Sequence, residues 1–98
     1  MNLSEPQKKY LRGLGHKLNP VIMVGDAGLS ESLLAEYDRT LAHHELIKVS
    51  LRVGDRDTRD TMIADLVDRS NGTLVQRIGN VALIYCENPE KKRIRLPR

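Results

Sequence analysis

The stretch that decides the fold is Val21-Ile22-Met23-Val24-Gly25-Asp26-Ala27-Gly28-Leu29-Ser30. Its four leading apolar residues include β-branched Val and Ile, which favour extended backbone. The strand stops at Gly-x-x-Gly, where two glycines permit a tight turn and a close approach of backbone to another molecule. Ser30 then offers an N-cap, so the following helix begins with free backbone N–H groups at the loop mouth. A strand, a glycine turn and a helix in that order suit contact with phosphate and ribose. The competing reading of Gly25 and Gly28 is an ordinary turn joining strand to helix.

Working outward, a helix is expected from about Ser30 to His44, with Leu33, Leu34, Tyr37, Leu41 and His44 on one face. A strand over residues 46–53 follows, where Ile47, Val49, Leu51 and Val53 alternate with Lys48, Ser50 and Arg52. One side of it is core and the other polar or lightly covered. A third helix starts after Asp57 or Thr58, buries Met62, Ile63, Leu66 and Val67, and stops at Asn71-Gly72. Its other face carries Asp57, Asp65 and Asp68. Strands near 73–78 and 81–86 flank Gly79-Asn80 and read as a hairpin.

Upstream, Ser4-Glu5-Pro6-Gln7 has the form of a capping box with Pro in the first turn, preceded by Leu3 as a staple. Leu11, Leu14 and Tyr10 fall on one stripe of this first helix, with Lys8, Lys9 and Arg12 opposite. Gly15 reads as its stop, and Asn19-Pro20 breaks the chain before the first strand. Downstream, Asn88-Pro89 ends the last strand, and a basic tail from about residue 87 is either a short extra strand or disordered. The order is α-β-α-β-α-β-β: a compact single α/β domain over residues 1–98, with a mixed four-stranded sheet packed by helices. Crossover helices are long enough to join parallel strands.

Composition removes several classes of function. A chain of 98 residues with 30% charged side chains is one globular unit. No apolar run approaches the ~20 residues of a membrane span. Met1-Asn2-Leu3-Ser4-Glu5-Pro6 lacks the charged-then-apolar pattern of a signal peptide, so a cytoplasmic protein without membrane attachment is expected. The single cysteine, Cys86, excludes an internal disulfide and a multi-cysteine zinc site, and its apolar surroundings suit a small buried hydrophobe. With no Trp or Phe, aromatic stacking cannot be the main mode of nucleic-acid binding.

Charge is unevenly placed. Residues 1–30 carry Lys8, Lys9, Arg12 and Lys17 against Glu5 and Asp26; residues 71–98 are more basic still, and the middle of the chain is acidic. Such asymmetry suits a surface facing a polyanion, although a solvated surface with a basic tail is an equally ordinary reading.

Three blocks now bear on kinship: LSEPQKKYLRGLGHKLNPVIMVGDAGLS, AHHELIKVSL and SNGTLVQRIGNVALIYCENPEKKRIRLP. Together they resemble the CRM domain, and more narrowly its stand-alone bacterial YhbY-like form, over about residues 3–97. The resemblance implies a fold similar to the C-terminal domain of bacterial translation initiation factor 3, with a loop analogous to that of KH domains. It also implies binding to large-subunit ribosomal RNA or a pre-ribosomal particle during assembly.

KH-type loops clamp the nucleic-acid backbone. On that pattern Gly25, Asp26, Ala27 and Gly28 form the contact loop. Lys8, Lys9 and Arg12 add charge from the first helix, Lys17 continues that surface, and Lys91, Lys92, Arg93 and Arg95 add charge from the tail. Half a dozen phosphate contacts would cost roughly 10³ in affinity between low and moderate salt. Such contacts position RNA without reading its sequence. One departure from the family pattern is Asp26, where a basic residue is usual. A carboxylate there repels phosphate; binding a ribose hydroxyl, capping the turn and weakening the loop are the open readings.

Other candidate sites are weaker. His43 and His44 point about 100° apart on a helix and fit a C-terminal dipole better than a shared metal. Asp55-Arg56-Asp57 reads as a helix cap before a cation site. His16 reads as a helix-end or surface residue, with RNA contact as the minor reading. No nucleophile–base set or phosphate-cradling loop ending in Gly-Lys-Ser/Thr is present, so neither enzyme activity nor a cofactor is expected. A monomer binding RNA is the leading expectation. The competing one is a protein-interaction module that meets an acidic partner through the basic helix and tail.

Overall fold

The first helix forms because its ends are chemically specified. In the computed structural model, which describes residues 2–98, α1 spans Glu5–Gly15 with Ser4 as N-cap. Ser4 Oγ accepts from Gln7 N–H, and Ser4 N–H donates to Gln7 Oε1, completing the capping box. Gly15 ends the helix, but its lack of a side chain serves another purpose. A Cβ there would stand 2.6 Å from Leu83 Cδ2, so glycine lets the helix end close onto the sheet.

Strand β1, Pro20–Val24, leads through Gly25–Gly28 to α2, Glu31–His44, capped by Ser30 Oγ. Strand β2, Leu46–Leu51, is two residues shorter than the sequence alternation suggests, because after Leu51 the chain leaves the ladder. Helix α3, Arg56–Ser70, begins earlier than expected. Asp55, not Asp57, supplies the cap by accepting from Thr58 N–H at 2.8 Å. It ends on Asn71 in the left-handed conformation, as the Asn-Gly pair predicts. Strands β3, Thr73–Ile78, and β4, Val81–Tyr85, form the hairpin.

The sheet order is β1-β2-β4-β3. β1 runs parallel to β2; β4 runs antiparallel to both of its neighbours. Two apolar layers flank this mixed sheet. Ile22, Val24, Ile47, Val49, Leu51, Ala82 and Ile84 meet Tyr37 and Leu41 of α2 and Ile63 and Leu66 of α3. On the opposite face Leu46, Val75, Leu83 and Tyr85 meet Leu11 of α1, with Ile94 and Leu96 of the tail packed alongside. The second side of β2 is therefore closed over much of its length rather than polar. Tyr10 and His44, expected on packed faces, are exposed. Cys86 lies just beyond β4, half-buried, its thiol donating to Ser70 C=O. No helix among the described residues is long and apolar enough to cross a membrane.

Candidate nucleic-acid interface

The Gly25–Gly28 segment is a closed turn: Gly28 N–H donates to Gly25 C=O at 2.9 Å, and Ser30 N–H to Gly28 C=O at 3.0 Å. Gly28 has φ +65, a conformation that L side chains rarely adopt. Gly25 is different, because a Cβ there meets nothing within 4 Å and its φ lies outside the left-handed region. The fold itself therefore does not require glycine at position 25. Gly25, Asp26 and Ala27 are exposed, and the N–H groups of Asp26 and Ala27 donate to no described residue. The Asp26 carboxylate has no hydrogen-bond or ion-pair partner, which removes the turn-capping reading of that side chain.

β1 and β2 are parallel and Val24 pairs with Leu51, so the loop lies at the end of the sheet where β2 finishes. Arg52 N–H donates to Val24 C=O there, at 2.9 Å, setting an exposed guanidinium without an acidic partner next to the turn. Sequence reading assigned Arg52 only to a polar strand face. The parallel register that brings it to the loop joins segments about two dozen residues apart.

The tail sits at the other end. Glu45, immediately before β2, is fully buried. Its Oε2 accepts from Asn88 N–H at 2.7 Å, and its Oε1 from Arg93 and Ile94 N–H at 2.6 and 2.8 Å. Burial alone pushes this carboxyl upward, but the three backbone donors and nearby Lys92 outweigh it. The net result lies below the ordinary value of 4.5. Gln7 Nε2 also donates to Pro97 C=O, tying the tail to α1. The tail is therefore neither a paired strand nor a loose end: it is an extended segment docked on α1 and β4. Glu45 was not among the sequence-derived site residues, since its donors lie far along the chain.

Loop and tail thus stand about 17 Å apart along β2, at ~3.3 Å per residue, with α1 running between them. Lys9, Arg12, Lys17, Lys91, Arg93 and Arg95 have side chains free of acidic partners, whereas Lys8 pairs with Glu5 at 3.8 Å and Lys92 with Glu87 at 2.7 Å. On the opposite side of the sheet, α2 and α3 carry Glu31, Glu36, Asp38, Asp57, Asp60, Asp65 and Asp68 against four arginines. Linear charge asymmetry has become two-sided: basic on the α1 side, acidic on the other.

The family model described as the CRS1/YhbY (CRM) domain matches residues 3–85. An RNA-binding protein of Haemophilus influenzae is 46% identical over 96 residues, spanning 98% of this chain and 96% of its own. The Bacillus subtilis protein named Probable RNA-binding protein YqeI is 36% identical over 95 residues, 97% of this chain and 99% of its own. Among solved structures, the solution structure of SAV1595 from Staphylococcus aureus superposes with a TM-score of 0.80 at 36% identity. It covers 98% of this chain and 100% of that one. By the family match over residues 3–85 and these full-length relatives, the chain belongs to the CRS1/YhbY (CRM) domain family.

Proposed function

We propose that the protein binds RNA on its α1 side and associates with precursors of the large ribosomal subunit during assembly. The observation that carries the RNA reading is the placement of partnerless cations on the α1 side of the sheet, with a turn whose N–H groups are unpaired at the end of that sheet. Lys9, Arg12, Lys17 and Arg52 supply charge, Gly25 supplies close approach, and the docked tail extends the surface through Arg93 and Arg95. Relatives named as RNA-binding proteins support the same reading. The ribosomal target rests on the resemblance to stand-alone bacterial members. Phosphate contact dominates this mode, so affinity follows salt steeply.

The test is titration of a large-subunit ribosomal RNA fragment at several salt concentrations. A triple variant, Lys9→Ala, Arg12→Ala and Lys17→Ala, should bind more weakly and lower the log–log salt slope by about 2. Gly25→Asp meets no steric obstacle in the free protein, so its expected loss of binding reports on the loop alone. The wild type should also sediment with particles lighter than the mature large subunit. Equal binding by all three proteins would overturn the α1-side assignment. Free sedimentation at low salt would overturn the ribosomal one.

A further inference from the structure

α1 covers only part of its face of the sheet. Beyond its end, one register row, Met23–Ser50–Val81–Ile78, crosses all four strands. Met23 is 58% exposed and Ile78 65%, with Val21 at 47% beside them. Met23 and Val21 thus lie open at the β1 edge of this face and Ile78 at the β3 edge, about 14 Å away at ~4.8 Å per strand, with Ser50 buried between them. Next to the row is a groove of about 420 Å³, whose walls include His16, Asn19, Lys48, Gln76, Ile78 and Val81. No carboxylate lines it. The side chains of His16, Asn19, Lys48 and Gln76 make no hydrogen bond or ion pair with any described residue. Two residues after Met23 the chain enters the glycine turn.

From this placement we infer that the groove holds unpaired bases of an RNA strand whose backbone lies against the Gly25–Gly28 turn; the inference rests on the RNA reading above. The occupant must be anionic, because Lys48 and the neighbouring Lys17 have no acidic counterpart. It must offer apolar faces to Val81 and Ile78, which line the groove, and to Met23, which lies outside it on the β1 edge toward the turn. It must also carry hydrogen-bonding edges, which the Asn19 and Gln76 amides can address as both donors and acceptors. An unstacked nucleotide has all three properties, whereas a duplex keeps its base faces stacked inside. Aliphatic side chains here take the place of the aromatic platforms that the chain lacks. Base readout therefore adds to a backbone contact that by itself carries no sequence information.

The probe is a single-stranded RNA oligonucleotide, compared with the same backbone bearing abasic positions. The variant is Met23→Thr with Ile78→Thr, which removes apolar area, keeps β-favouring residues and alters no charge. Wild type should prefer the base-bearing strand by about tenfold. The variant should lose that preference while keeping the salt slope. Should the variant not fold, the Met23 methyl resonance of the wild type serves instead, shifting with the base-bearing strand and not with the abasic one. Equal affinity of the wild type for both strands overturns the groove and leaves the RNA reading standing. Failure to bind either strand, or any structured RNA, overturns both. Binding of a protein partner at this row, with RNA unaffected, also overturns the groove.

Discussion

Glu45 has φ 65° and a side chain with no exposure, two features that a non-glycine residue rarely combines. Its C=O accepts from Cys86 N–H while its carboxylate takes three further backbone donors, so one residue holds the exit of β4 and the whole tail. Glu45→Ala strands those donors in a buried place and should cost about 3 kcal/mol, read as a lowered denaturation midpoint. The pH dependence has a definite sign. A carboxyl depressed in the folded state stabilises fully above its unfolded value of 4.5, and that contribution is lost as pH falls through the lower folded value. The difference in Tm between wild type and Glu45→Gln should therefore narrow in acid below about 4.5 and stay constant above it. A constant difference throughout would mean that the carboxylate charge has no part in holding the tail.

Elements whose determinants are local were legible from the chain. Ser4, Ser30 and Asn71-Gly72 act within five residues of themselves, and the three helices end or start where those residues stand. The start of α3 was misplaced because Asp55, Asp57 and Thr58 all have capping chemistry, and only the fold selects among them. Gly15 was read as a stop signal, yet its role depends on Leu83, which no local pattern connects to it. Two glycines of α1 now predict opposite signs. Gly13→Ala adds a Cβ into open space and should stabilise by about 0.5–1 kcal/mol through helix propensity. Gly15→Ala drives a methyl into buried Leu83 and should destabilise by about 1 kcal/mol or more. Thermal denaturation of the two variants checks both; stabilisation by Gly15→Ala would show that the helix end has room to lift.

At the scale of the molecule, sequence alone gave the element order and the mixed sheet but could not say which surfaces meet. Lys48 shared a polar alternation with Ser50, and nothing local distinguished the half-buried lysine from the buried serine. That Met23 and Ile78 share one register row, at opposite edges of the sheet, follows only from the order β1-β2-β4-β3. The tail was equally opaque, since its anchor lies more than forty residues upstream. Its docking predicts that removing residues 92–98 does more than delete charge. Leu11 and Tyr85 lose the cover of Ile94 and Leu96, and Glu45 loses two of its donors. The shortened chain should melt several degrees lower, measured by circular dichroism, in line with ~4–8 °C per kcal/mol for a domain of this size. An unchanged melting temperature would assign the tail to charge alone.

The strand order also has a consequence in time. β4, the last strand to be synthesised, lies inside the sheet between β2 and β3. Until residues 81–85 emerge, β2 has one unpaired edge and β3 has no partner at all. A nascent or stalled chain that has not yet freed β4 therefore displays apolar strand edges of the kind that invite aggregation, and the sheet is complete only once residues 81–85 can enter it. The sheet of this protein is for that reason closed from within, by the latest-made of its four strands.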